Sequence, residues 1–173
     1  SELPQGQHVR SAGEDVGFGE LVLNAGTTVR PPEAGVLASL GKASMSVIRR
    51  PIVAVLATGD ELLEPGQPLE PGKLYNSNSY AVAAAVEKAG GIPRLLGIAR
   101  DDLSDTHRGL EAGLDADMVI TSAGVSKGSY DLVKDVLASR GEISFWSVRM
   151  RPAKPIAFGL LHGDDGRKVP HLG

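Results

Sequence analysis

The chain of 173 residues contains no cysteine. That excludes a disulfide framework, a thiolate nucleophile and any cysteine-held zinc or iron–sulfur site, and it fits a reducing compartment, so the expected location is the cytoplasm. Histidine is scarce as well: His8, His107, His162 and His171 are scattered without metal-ligand spacing and read as surface groups. There is no Lys/Arg run and the formal net charge is −3, so the clustered positive charge that nucleic-acid binding needs is missing. No apolar stretch approaches the roughly 18 residues that span a bilayer, and the opening Ser-Glu-Leu-Pro-Gln lacks the basic and apolar regions of a signal peptide. A soluble protein is expected, with neither nucleic acid nor membrane as partner. With no initiator Met, and an apolar strand leading into a turn at Val169 to Gly173, both ends read as cut, so the chain is expected to be a fragment.

What is present is ordinary globular material, 42% hydrophobic and 23% charged, enough for one sizeable core plus an accessory segment. From Ser1 to about Arg50, short apolar pieces such as Leu21 to Leu23 alternate with turn signals at Asn24 to Gly26 and Pro31-Pro32. This pattern predicts small β elements with one helix from about Pro32 to Leu40, stopped by Gly41, and a strand at Met45 to Arg49. After Pro51 the pattern changes. Ile52 to Leu56 is a continuous apolar run typical of a strand buried on both faces. A helix is predicted over Ser77 to Ala89, stopped by Gly90-Gly91, then a strand over Ile92 to Ile98, a helix opening at Ser104, a strand over Asp117 to Thr121 and a helix from about Ser129 to Ser139. This alternation implies a parallel sheet covered on both faces. The tail breaks the rhythm, since Glu142 to Arg149 and Ile156 to Leu161 look like antiparallel strands joined through a Pro-rich turn, with a hairpin tip at His162 to Gly166. The expected fold is therefore α/β: a three-layer α/β/α domain with a mostly parallel sheet over 51–173, preceded by a small β-rich linker segment over 1–50. Phe145 and Trp146 are expected in the core.

In open α/β sheets ligands bind beyond the carboxyl ends of strands, where helix N-termini and backbone N–H groups are exposed. Three predicted strand ends carry polar groups. The first, Thr58-Gly-Asp-Glu-Leu62, places two acids beyond a glycine; the second, Arg100-Asp-Asp102, adds two more on the same edge. Two readings stand for these acids: solvated or helix-capping groups, or carboxylates that converge on a hard cation or handle protons. The third, Ser122 to Ser129, is a loop of small residues leading into a helix, a layout that lets backbone amides approach an anion, although tight connections use Gly and Ser for backbone reasons alone. Asp131 either caps that helix or faces the other acids. Arg149, Arg151 and Lys154 form a basic turn stiffened by Pro152 and Pro155, able to clamp phosphate or simply to be solvated.

Together these segments resemble the molybdopterin molybdenumtransferase family, which includes the E domain of gephyrin, over nearly the whole chain. Gly6-Gln-His-Val-Arg10 and Gly13-Glu-Asp15 look like its linker segment, and Thr58-Gly-Asp-Glu-Leu62, Asn76-Ser-Asn78, Arg100-Asp-Asp102, the Thr121 to Ser126 loop, Tyr130-Asp131 and Arg151-Pro-Ala-Lys-Pro155 follow in the family's order. The resemblance implies insertion of molybdate into adenylylated molybdopterin with release of AMP and help from a divalent cation, Mg2+. It implies catalytic roles for Glu61, Asp101 and Asp131, and a metal set of these three with Asp60. It places molybdopterin and its phosphates against Thr58, Gly59, Asn78, Ser122, Gly124, Val125, Ser126, Lys134 and Lys154. It further implies a homodimer in the full-length protein, the molybdopterin adenylyltransferase as a possible partner, and an N-terminal part and a C-terminal β domain missing from this chain. Ala123 and Ala153 stand where relatives usually have Gly, which puts anion binding in question and makes the fragment itself not fully active. The competing expectations are a non-catalytic pterin- or nucleotide-binding module and the adenylyltransferase, which shares the α/β domain but lacks the linker segment.

Overall fold

The computed structural model describes residues 4–123, 139–150 and 155–173. The chain forms two compact units, Ser1–Ile48 and Arg49–Gly173.

In the first unit, helix α1 (Pro31–Ser39) begins with proline and is closed by a capping box in which Glu33 accepts from the Arg30 N–H at 2.9 Å. The expected β elements, including Met45 to Arg49, do not form: among residues 4–48 there is no strand. The physical reason is local. Apolar pieces of two or three residues cannot build a ladder without a partner, and much of the backbone closes instead into tight turns such as Gln7 N–H to Pro4 C=O (3.1 Å) and Thr27 N–H to Asn24 C=O (3.2 Å). Val9, Phe18, Leu21, Val47 and Ile48 remain exposed.

The second unit is built on a six-stranded sheet. Its strands are β1 (Ile52–Thr58), β4 (Ile92–Ala99), β5 (Met118–Ala123), β6 (Gly141–Ser147), β7 (Pro155–His162) and β8 (Lys168–Leu172), in the order β4-β1-β5-β8-β7-β6. The pairs β1–β4, β1–β5 and β5–β8 are parallel, while β7–β8 and β6–β7 are antiparallel. A small parallel ribbon of β2 (Leu62–Leu63) and β3 (Leu74–Tyr75) follows β1. The α/β class with a mostly parallel sheet is thus as expected, with the tail adding a mixed half.

Among the described residues, two helices cover the parallel half. Alternation along β1 sends Ala54 and Leu56 to one face, where they join Ala99, Leu110, Ala116, Val119 and Leu161 in the core, and Val53, Val55 and Ala57 to the other. Helix α3 (Leu103–Glu111) lies on the Leu56 face, where a Cβ on Gly109 would come within 2.9 Å of the Leu56 side chain. Helix α2 (Ser77–Lys88) touches β1 and β4, and its residue Asn78 reaches Ser122, which points to the face opposite Thr121 and Leu56. One layer therefore lies on each face. The helix expected over Ser129 to Ser139 falls, except for its last residue, outside the described residues.

Two expectations fail by burial. Phe145 packs against the core, but Trp146 is 63% exposed, because period-2 alternation on the edge strand β6 turns neighbours to opposite faces. His171 is not a surface group: it is fully buried, with Nε2 3.0 Å from the Thr121 hydroxyl, and burial pushes its pKa down to about 4.

Candidate functional site

The strand order contains a reversal. From β1 the chain moves outward through α2 to β4, then returns through α3 past β1 to β5. The carboxyl ends of β1 and β5 thus flank a crevice of the kind in which open α/β sheets bind ligands. The register Thr58↔Ala123 and Thr58↔Ala99 brings all three parallel strand ends to one level.

At the end of β1, Gly59 holds φ +143°, and a Cβ there would lie 2.6 to 2.8 Å from the Glu61 carboxylate, so the Glu61 side chain occupies space that only glycine leaves open. Gly59 N–H continues the ladder to Ala99 C=O (3.2 Å), and Gly59 C=O accepts from Leu62 N–H (3.2 Å), closing a turn that presents Asp60 and Glu61. Thr58 and Gly59 are buried, and Thr58 Oγ1 has no hydrogen-bond partner among the described residues. What these two offer the crevice is backbone shape.

The two acidic strand ends meet. Asp101 N–H donates to Asp60 Oδ1 at 3.2 Å and Asp60 N–H to Asp101 Oδ2 at 3.5 Å. The helix-capping reading holds for the neighbour instead: Asp102 is the N-cap of α3, accepting from Asp105 N–H and the Ser104 hydroxyl, and the Ser104 bond, followed by the Asp105 N–H, holds its carboxyl below the usual carboxylate range. Gly59, Asp60, Asp101 and Asp102 line a cleft of about 810 Å³ with Lys73, Arg100 and the two residues of β2. On the β5 side, Asn78 Nδ2 lies 3.4 Å from Ser122 Oγ, joining α2 to the strand end across the crevice.

The predicted residues therefore fall into two groups on one edge: Asp60 with Asp101 between β1 and β4, and Asn78 with Ser122 between β1 and β5. Gly124, Val125, Ser126, Asp131, Lys134 and Lys154 lie outside the described residues. The flanks of the basic turn are placed, because Ser147 pairs with Pro155 where β6 ends and β7 begins, and β6 runs parallel to β1 through the chain of pairings. The end of β6 and the start of β7 therefore lie at the same carboxyl edge.

Sequence reasoning gave no role to Lys73 or Glu64 and placed Asn76 only within a motif. Lys73 Nζ donates to the Asp60 carbonyl at 2.6 Å, Asn76 caps α2 by accepting from Ser79 N–H (3.2 Å), and Glu64 receives the Tyr80 hydroxyl (3.0 Å), which raises the tyrosine's pKa. Only Asn76 carried a local signal, as an N-cap before a helical run. For a divalent cation the fit is incomplete: among the described residues no group of three His, Cys, Asp or Glu converges as a metal site.

Residues 54–169 match the family described as "Probable molybdopterin binding domain", and residues 1–41 match "MoeA N-terminal region (domain I and II)". The chain is 42% identical to the molybdopterin molybdenumtransferase of Haemophilus influenzae over 93% of its own length and 40% of the relative's. It is also 42% identical to molybdopterin molybdenumtransferase 2 of Mycobacterium tuberculosis, over 91% and 41%. It thus spans about two fifths of the curated relatives it matches. A solved structure of a molybdopterin biosynthesis moeA protein from Pyrococcus horikoshii superposes with a TM-score of 0.75 at 30% identity, covering 92% of this chain and 39% of that one.

Proposed function

Because the chain belongs to the family of probable molybdopterin-binding domains, we propose that it carries the pterin-binding and catalytic α/β domain of a molybdopterin molybdenumtransferase. Molybdate and adenylylated molybdopterin are then the substrates: the dithiolene sulfurs take up molybdenum and AMP leaves. The observation that carries this reading is convergence at one strand edge, where the Gly59–Glu61 turn is tied to Asp101 and Ser122 meets Asn78 beside it. In this proposal Glu61, Asp101 and Asp131 handle protons and molybdate oxygens. Gly59, Asn78, Ser122, Gly124, Val125, Ser126, Lys134 and Lys154 receive the pterin and its phosphates, with Thr58 supporting them from beneath. Mg2+ belongs to the proposal as the expected cation, but the described residues alone do not make its site. Cytoplasmic location, a homodimer and hand-over of substrate from an adenylyltransferase are parts of the same proposal; among the described residues no helix is long and apolar enough to cross a membrane.

The test is AMP release by the full-length protein supplied with molybdate and adenylylated molybdopterin, with Glu61→Gln and Asp131→Asn alongside. Both variants should lose at least about 100-fold in kcat, as removal of a proton-handling group does. Normal turnover by either would sink its assignment. Binding of AMP or molybdopterin by calorimetry with no AMP release from the intact protein would favour a non-catalytic binding module instead.

A further inference from the structure

The β1–β4 ladder ends at Thr58↔Ala99, and beyond Gly59 the two loops have no further strand pairing to hold them together. Their positions are set by a reciprocal clasp: each carboxylate accepts from the other's backbone N–H, at 3.2 Å for Asp101 onto Asp60 and at the long limit of 3.5 Å in return. In this small space each of the two carboxyl groups faces the other residue's N–H dipole. The clasp has a third member. Lys73, immediately before β3, donates to the Asp60 carbonyl at 2.6 Å. The N–H of Asp60 is thus directed at Asp101 while its C=O is fixed from the other side by an ammonium. The two peptide units on either side of the Asp60 Cα are each held by one hydrogen bond, and the Glu61 side chain folds back over Gly59 from that base.

We propose that Asp60 is a positioning residue acting through Asp101, and that with Lys73 it fixes the peptide bearing Glu61. The role asks of Asp60 an acceptor oxygen, which asparagine also supplies and alanine does not. A ligand to a hard cation would ask for the carboxylate charge itself. The kinetic part of the inference rests on the transferase reading; the structural part does not.

The experiment uses the full-length protein and compares Asp60→Ala, Asp60→Asn and Lys73→Met for kcat, KM, the Mg2+ concentration giving half-maximal activity, and hydrogen exchange of the Asp101 amide. Asp60→Ala should lower kcat about tenfold, the effect of one charge-assisted hydrogen bond, with KM and half-saturating Mg2+ unchanged. Asp60→Asn should recover the rate to within about threefold, and Lys73→Met should fall between the two. Asp101 exchange should be slow in the wild type and in Asp60→Asn. An asparagine variant as slow as the alanine one, or one needing more Mg2+, overturns the positioning role. Should the wild type release no AMP, the transferase reading fails while the exchange measurement still decides the clasp. Should Asp60→Ala not fold, the wild-type and Asp60→Asn amides decide it without that variant, and rapid Asp101 exchange in the wild type overturns it outright.

Discussion

The two halves of the sheet are held together differently, and the acidic turn of the proposed site stands on the parallel one. In β1 every residue from Val53 to Thr58 is buried, with a helix over each face, whereas β6 alternates half-buried and exposed positions and carries Trp146 at 63% exposure. A strand with no free face can offer polar groups only where it ends. That is where Gly59, Asp60 and Glu61 stand, and burial behind them gives a rigid base from which the turn projects. The antiparallel half relies more on its hydrogen-bond ladder and on ties across its ends, such as Arg140 to His107 Nε2 (2.8 Å) and Asp164 (3.0 Å), and its strand faces contribute no predicted site residue.

The sharpest way to break that contrast is to truncate one apolar side chain in each half. Leu56 is 1% exposed and packs against α3, so Leu56→Ala should cost about 2–5 kcal/mol of unfolding free energy through lost burial and the cavity left behind. Phe158 is 55% exposed, and Phe158→Ala should cost about 1 kcal/mol or less despite deleting the larger side chain. Denaturant titration of the pair decides it: equal losses would mean that the two halves are stabilised alike.

A second comparison concerns glycines with positive φ. Gly59 (φ +143°) stands under the Glu61 carboxylate, while Gly166 (φ +80°), at the β7–β8 turn, has nothing within 4 Å of where a Cβ would sit. Gly59→Ala combines backbone strain of about 1–3 kcal/mol with displacement of Glu61, and AMP release should fall at least about tenfold. Gly166→Ala carries only the cost of a left-handed residue, about 1–2 kcal/mol, with activity unchanged. Melting curves and turnover measured on both variants separate strain from function, and full activity in Gly59→Ala would remove the Glu61 contact from the proposed mechanism.

How much of this was legible in the sequence depended on the range over which each feature is determined. The burial of β1 was readable from five consecutive apolar residues, and α2 from its Ala spacing and the Gly90-Gly91 stop, because these signals are local. Helix α3 begins at Leu103 rather than Ser104, and of the two readings open for Asp102 the capping one holds, since several oxygens compete for the same N–H groups. The strands expected before Pro51 failed because a strand is defined by a partner, which residues 4–48 do not supply. The Asp60–Asp101 clasp was out of reach for the same reason in stronger form: it joins positions 41 apart and follows only once Thr58 is in register with Ala99. The site's residue types were legible, but their partners were not.

The pH dependence sharpens the contrast at its midpoint, where β8 brings a histidine into the core beside β5. Folding lowers the pKa of His171 to about 4, so between that value and the ordinary 6.5 the unfolded chain binds the proton and the native state does not. Its contribution is therefore intact above about pH 6.5 and is lost as pH falls toward 4, at a limiting slope of about 1.4 kcal/mol per pH unit. Asp117 acts in a separate, more acidic window. Arg49 and the Ile52 N–H hold its pKa at about 2, so its contribution is complete above the ordinary 3.8 and lost as pH falls through 2. In His171→Leu the slope between pH 4 and 6.5 should flatten, while a uniform offset reports the partner lost by Thr121. An unchanged slope would show that the native state accommodates the imidazolium.

The smallest expected effect tests the outer edge. Trp146 is the only tryptophan in the chain, so its fluorescence reports β6 alone. Its neighbour Phe145 faces the core from the same strand, so replacing each in turn compares the two faces of one element at a single level of the sheet. Trp146→Ser should change stability by about 1 kcal/mol or less, and acrylamide should quench the native protein nearly as well as the unfolded chain. Phe145→Ser, which puts a hydroxyl against the core, should cost about 2–4 kcal/mol. If the tryptophan variant were the more damaging, the exposed face of β6 would be carrying packing that its 63% exposure does not allow, and the division between a buried parallel half and an open antiparallel edge would have to be redrawn.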